Sequence, residues 1–127
     1  MHFQIPPNEY AKLMVSIYGN MKDVILDIWD GSPLYRQVDV FDLDAHDGWL
    51  LHLPQGIDHD FLAHTEVMVG YRVTSCHALA FDTSIRWNSV PMDWGVDDPI
   101  VSTCDHYFPA WNKSISLSVY LRKEILG

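Results

Sequence analysis

A chain of 127 residues, 48% of them hydrophobic, is long enough to bury one core and implies a single domain over 1–127. It has no apolar run of the roughly eighteen residues a membrane span needs, and its start, Met1-His2-Phe3-Gln4-Ile5-Pro6-Pro7, has neither the basic nor the apolar stretch of a signal peptide, so a cytoplasmic location is the default expectation. The formal net charge is −9 and the eight Lys and Arg residues are scattered, which excludes a nucleic-acid footprint but leaves room for an anionic ligand wherever a few cations converge in one cleft.

Short apolar or alternating runs follow one another, cut by turn signals. Lys12 to Tyr18 is the first, closed by Gly19-Asn20. Met21 to Trp29 alternates, with Val24, Leu26 and Ile28 on one face and Asp23, Ile25 and Asp27 on the other, and ends at Asp30-Gly31. Gln37 to Leu43 alternates again before the Asp47-Gly48 turn. Trp49 to Leu53, Val67 to Thr74 and Ser114 to Leu121 complete the set, and the one helical reading is a short turn over Leu121 to Leu126. β-rich runs at such close intervals predict an antiparallel all-β sandwich or barrel. Cys76 and Cys104 fit neither a metal-ligand spacing nor a disulfide framework and are expected as small buried side chains.

Pattern gives no reaction, but several strings are more specific. Pro54-Gln55-Gly56-Ile57-Asp58-His59-Asp60-Phe61, Ile85-Arg86-Trp87-Asn88, Met92-Asp93-Trp94 and Pro99-Ile100-Val101-Ser102-Thr103-Cys104-Asp105 keep one order along the chain. So do His2-Phe3-Gln4, Pro6-Pro7, Ala11-Lys12-Leu13 and Gly31-Ser32-Pro33-Leu34-Tyr35. Together they resemble the dTDP-4-dehydrorhamnose 3,5-epimerases. Each string alone is weak; their shared order over almost the whole sequence carries the resemblance. Family members have a longer chain before the histidine, a region of nucleotide contacts and of an edge strand passed to the partner subunit.

The resemblance implies a cupin jelly roll, a homodimer, a nucleotide-sugar substrate and a place in dTDP-rhamnose biosynthesis. The implied reaction inverts carbons beside a ketone by proton removal and return. It implies His2 as the base, since imidazole titrates near working pH, and Asp105 as the carboxylate that orients it. Tyr71 would be the acid returning the proton from the other face. Lys12, ten residues after His2, would stabilise the charge forming on the ketone oxygen. His59, read as lying in the proline-glycine turn, together with Gln4, Arg86 and Asp82, would hold the sugar nucleotide; Asp82 would stand for a glutamate, and His77 takes the place of an aromatic residue.

Outside that context His2 is a terminal residue, Lys12 a strand-end surface lysine, Tyr71 a core tyrosine and Asp105 a turn aspartate. The remaining histidines, His46, His52, His64 and His106, show no H-x-H or metal-triad spacing. No metal or other cofactor is therefore expected. A non-catalytic cupin that binds the nucleotide sugar, and a metal-dependent cupin enzyme, are the competing readings.

Overall fold

The computed structural model describes residues 2–111. Its strands, in chain order, are β1 (His2–Gln4), β2 (Lys12–Tyr18), β3 (Asn20–Asp27), β4 (Val38–Asp44), β5 (Leu50–Leu53), β6 (Ile57–Ala63), β7 (Met68–Val73) and β8 (Asp82–Ser84). A short helix, α1 (Thr103–Tyr107), follows. One sheet runs β4-β3-β6-β1-β8 and the other β5-β2-β7, with every neighbouring pair antiparallel. Among the described residues no helix is long and apolar enough to cross a membrane. The expected strand from Ser114 and helical turn from Leu121 lie outside the described residues.

The register decides what the space between the sheets contains. Residues directly opposite one another share a face. In the large sheet, His2 lies opposite His59 and Ser84, Gln4 opposite Asp82, Ile25 opposite His59, and Asp23 opposite Phe61. In the small sheet, Met14 lies opposite Tyr71 and Leu51, and Lys12 opposite Val73 and Leu53. Met14, Met21, Leu43 and Leu53 form one buried cluster that joins the two sheets. The same inward face carries His2, Asp23, His59, Lys12 and Tyr71. The other face of the large sheet is also covered: Phe3, Val24, Leu26, Ile28, Ile85, Val90 and Trp94 pack there as a second cluster.

Both faces of β3 are thus buried. Val24 and Leu26 are fully enclosed, as the alternation predicts, but so is Asp23 on the opposite face, and Asp27 is nearly so. Asp27 is well supplied, accepting from Trp29 N at 2.9 Å and Ser32 Oγ at 2.5 Å. The Asp23 carboxyl has no hydrogen-bond partner among the described residues.

The chain changes sheet between β2 and β3 at Gly19, whose φ is +73°. A Cβ there would lie 2.0 Å from the Glu66 carbonyl oxygen. Ser16 Oγ staples this corner by donating to the carbonyls of Tyr18 and Gly19 at 3.1 and 2.8 Å.

Three expectations are corrected. His59 is not in a turn: the turn ends at Gly56, φ +84°, and His59 sits in β6, between β3 and β1. Aspartates on either side of it hid the strand, since Asp disfavours sheet by composition alone. Cys76 and Cys104 are exposed, because one lies in the loop after β7 and the other on α1, none of whose residues is buried. Finally, α1 appears inside the proline-to-aspartate string, started by Ser102, whose hydroxyl accepts from Asp105 N.

Candidate active site

A cavity of about 290 Å³ opens between the two sheets, lined by His2, Lys12, Met14, His59, Asp60, Phe61, Val69 and Tyr71. Four of the residues singled out from sequence therefore share one space. His2 and His59 stand side by side on adjacent strands of the large sheet. Lys12 and Tyr71 project from adjacent strands of the small sheet. An imidazole and a phenol thus occupy opposite walls.

His2 Nε2 lies 3.1 Å from Asp105 Oδ1, and the ring meets Phe108 edge-on at 5.2 Å between centroids. A second cavity, about 330 Å³, shares His2, Asp60 and Phe61 with the first and adds Trp87, Trp94, Ser102 and Asp105. His2, Asp60 and Phe61 together border both. Burial raises the Asp105 carboxyl, but the Ser102 hydrogen bond and the nearby His2 charge outweigh it, so its pKa falls below the usual carboxylate range.

Lys12 crosses from the opposite sheet. Its Nζ is in short contact, 2.5 Å, with His59 Nε2, and the ammonium lies 5.4 and 5.5 Å from the ring centroids of Tyr10 and Tyr71. An ammonium only donates, so Nε2 is the acceptor, and the remaining ring proton is assigned to Nδ1. Nδ1 is 3.7 Å from Asp23 Oδ2, an ion-pair distance longer than a hydrogen bond. Burial lowers the Lys12 pKa against the opposing pull of Asp23, Asp58, Asp60 and Asp82. It raises that of Asp23, only partly offset by His59 and Lys12. The row Asp23–His59–Lys12 links a buried carboxyl, an imidazole and an amine that reaches over from the facing sheet.

Asp23 was not among the residues singled out from sequence. A mid-strand aspartate in an alternating run reads as a solvent-facing residue, and only the second sheet reveals that this face is closed. The available signal was Asp23 and Asp27 flanking Ile25 in a strand whose other face is wholly apolar.

Three predicted ligand-binding residues lie elsewhere. The Gln4 amide is consumed by backbone: Nε2 donates to Asn8 O at 3.0 Å and Cys76 O at 3.4 Å, and Oε1 accepts from Ala78 N at 2.6 Å. It fastens the loop after β7 to β1. Arg86 Nε donates to Phe108 O at 3.0 Å, and the residue borders a separate surface cavity with Trp87, Asn88 and Asp105. Asp82 sits opposite Gln4 on β8, where its charge acts on Tyr10 and Lys12. Among the described residues no group of three or more His, Cys, Asp or Glu side chains is arranged to hold a metal ion.

The sequence matches the family model for dTDP-4-dehydrorhamnose 3,5-epimerase over residues 1–113. The Sinorhizobium fredii (strain NBRC 101917 / NGR234) dTDP-4-dehydrorhamnose 3,5-epimerase is 28% identical over 97 residues, which cover 74% of this chain and 50% of that protein. The Mycolicibacterium smegmatis enzyme of the same name is 33% identical over 103 residues, covering 80% of this chain and 49% of its own length. This chain therefore spans about half the length of these relatives. The crystal structure of the Bacillus anthracis dTDP-4-dehydrorhamnose 3,5-epimerase with TDP and PPi bound matches with a TM-score of 0.83 at 30% identity, over 87% of this chain and 65% of that one. The two facing antiparallel sheets are those of a cupin-type jelly roll. With the ordered strings, the barrel and the family match in agreement, the chain belongs to the dTDP-4-dehydrorhamnose 3,5-epimerase family.

Proposed function

We propose that the protein epimerises a nucleotide-linked 4-keto-6-deoxy sugar at one or both carbons flanking the ketone. The observation that carries this reading is the placement of His2 and Tyr71 on opposite walls of one cavity, with the Lys12 ammonium reaching across it. A hydrogen beside a ketone leaves as a proton if a base takes it and the oxygen's growing charge is neutralised. Neutral His2 takes the proton, and Asp105 stabilises the imidazolium that results. The C–H electron pair moves into the enolate, whose oxygen faces Lys12. That ammonium acts most strongly as the charge develops, so it lowers the barrier rather than merely binding substrate. The Tyr71 hydroxyl then gives its proton to the carbon from the other face. Exchange with water discharges His2 and reprotonates the phenolate, leaving the enzyme as it began.

His59, held between Lys12 and Asp23, positions the ammonium and the sugar. Asp60 and Phe61 line both cavities, which suits a ligand whose sugar lies against His2 while its remainder extends toward Trp87 and Trp94. We assign the active form to a homodimer. The exposed outer face of the small sheet, where Leu13, Ile17, Leu50 and Met68 lie beside His52 and Arg72, supports that assignment.

The test is incubation with a dTDP-4-keto-6-deoxy sugar in deuterated water. Solvent deuterium entering one or both carbons beside the ketone is the expected result, and one or two deuterons tell how many centres react. Binding of the nucleotide sugar with no more exchange than a His2→Gln variant gives would sink the reading in favour of a non-catalytic binding cupin.

A further inference from the structure

We propose that Ser102 is the positioning residue of the His2–Asp105 couple: its hydroxyl holds one carboxylate oxygen so that the other faces the imidazole. This rests on the reading of His2 as the base. Ser102 Oγ donates to Asp105 Oδ2 at 2.5 Å, while His2 Nε2 is 3.1 Å from Oδ1. The same Oγ accepts from Asp105 N at 3.2 Å. The exchange is reciprocal, and it settles the direction of the hydroxyl. With the backbone N–H directed at its lone pair, its own proton goes to the carboxylate. Both ends of Asp105, amide and side chain, are tied to one atom.

A free carboxylate turns readily about its terminal torsion, and little else restrains this one. It belongs to a five-residue helix with no buried residue, so core packing does not fix its orientation. The His2 side chain is itself 40% exposed and is otherwise steadied by the edge contact with Phe108. A base presented on an open wall needs a rigid orienter, and a rigid orienter on an unburied helix needs a local restraint. Ser102 supplies it. Serine, aspartate and histidine all line the same cavity. The hydroxyl also favours the ionised carboxylate, the form that steadies a developing imidazolium.

The competing explanation is that Ser102 merely starts the helix. Substitution separates the two, because glycine is nearly as good as serine at that position, within a few tenths of a kcal/mol, yet has no hydroxyl. Ser102→Gly, Ser102→Ala and Ser102→Thr are compared in two ways. The first follows the Asp105 carboxyl carbon by NMR through an acid titration. The Gly and Ala variants are expected to move its midpoint upward, and Thr to keep it where serine does. The second follows deuterium uptake against pH. Gly and Ala are expected to lower kcat between roughly ten- and a hundredfold with KM unchanged, and to move the acid limb of the profile to lower pH, because a loosely held carboxylate favours the imidazolium less; Thr restores both.

An Asp105 midpoint unchanged in both Gly and Ala overturns the proposal, as does a Gly variant that titrates like wild type while only Ala differs. The His2→Gln control keeps the two levels apart. If that variant still exchanges, the assignment of His2 as base is wrong, and the Asp105 titration still decides whether Ser102 holds the carboxylate.

Discussion

Buried charge is where single residues matter most in this protein. Lys12 is expected to act on the transition state, so Lys12→Met should lower the rate of deuterium uptake by about 10²–10³ with little change in nucleotide-sugar affinity, read by exchange kinetics beside calorimetry. Asp23→Asn removes the carboxylate beside His59 Nδ1 and should slow uptake roughly tenfold or more while leaving the fold intact. Asp58 presents a different problem. It faces the outer cluster, opposite Leu26, is fully buried, and has no hydrogen-bond partner for either oxygen among the described residues. Burial pushes its pKa well above the usual range, and that of Asp23 upward too. A folded-state value above the unfolded one means the folded chain binds the proton more tightly. The stabilisation is complete below the ordinary carboxylate range near pH 4 and is lost as pH rises through the folded value. Urea midpoints should therefore increase on acidification from pH 7 toward pH 5. Asp58→Asn should flatten that dependence and add about 1–3 kcal/mol at neutral pH. Asp105, shifted downward, works in the opposite sense, its contribution present above the ordinary range and lost as pH falls through its folded value. The four residues His2, Lys12, His59 and Tyr71, which line one cavity, could be singled out in the sequence because each belongs to the family resemblance. Asp23 was not singled out, because its burial depends on a second sheet that no local pattern announces, and the Gln4 position does not tell that backbone groups engage its amide.

At the level of elements, the corner at Gly19 is the feature least able to tolerate change. Its positive φ disfavours any side chain, and a Cβ would strike the Glu66 carbonyl. Gly19→Ala is expected to cost more than about 2 kcal/mol, measured as a fall in the denaturant midpoint with the slope unchanged. Much of the strand set could be read from the chain. The run from Lys12 to Tyr18 coincides with β2, and the alternation after Gly19, the Gln37 to Leu43 run and the segments near Leu50 and Met68 fall on β3, β4, β5 and β7. What could not be read were β6, whose aspartates break the apolar signal, and β1 and β8, three residues each, too short to show a period. Those are the strands that build the centre and far edge of the large sheet, so pattern gave the class of fold but not the arrangement that brings His2 beside His59.

At the scale of the whole molecule, the outer face of the small sheet exposes Leu13, Ile17, Leu50 and Met68 among the described residues, and there the proposed homodimer is testable. Ile17→Lys together with Leu50→Lys should shift the mass seen by light scattering from dimer to monomer while the far-ultraviolet spectrum stays that of a β-protein. The position of β1 carries a last consequence, one of timing. It precedes every other described strand, yet it lies inside the large sheet, between β6 and β8. On the ribosome it emerges before either neighbour exists, and a nascent chain that stops short of Ser84 offers it β6 alone. Closure of the large sheet awaits contacts spanning some eighty positions along the polymer, the kind of topology that folds in milliseconds to seconds rather than microseconds. The residue assigned to begin the chemistry is thus made before both strands that hold it, and is among the last to find its place.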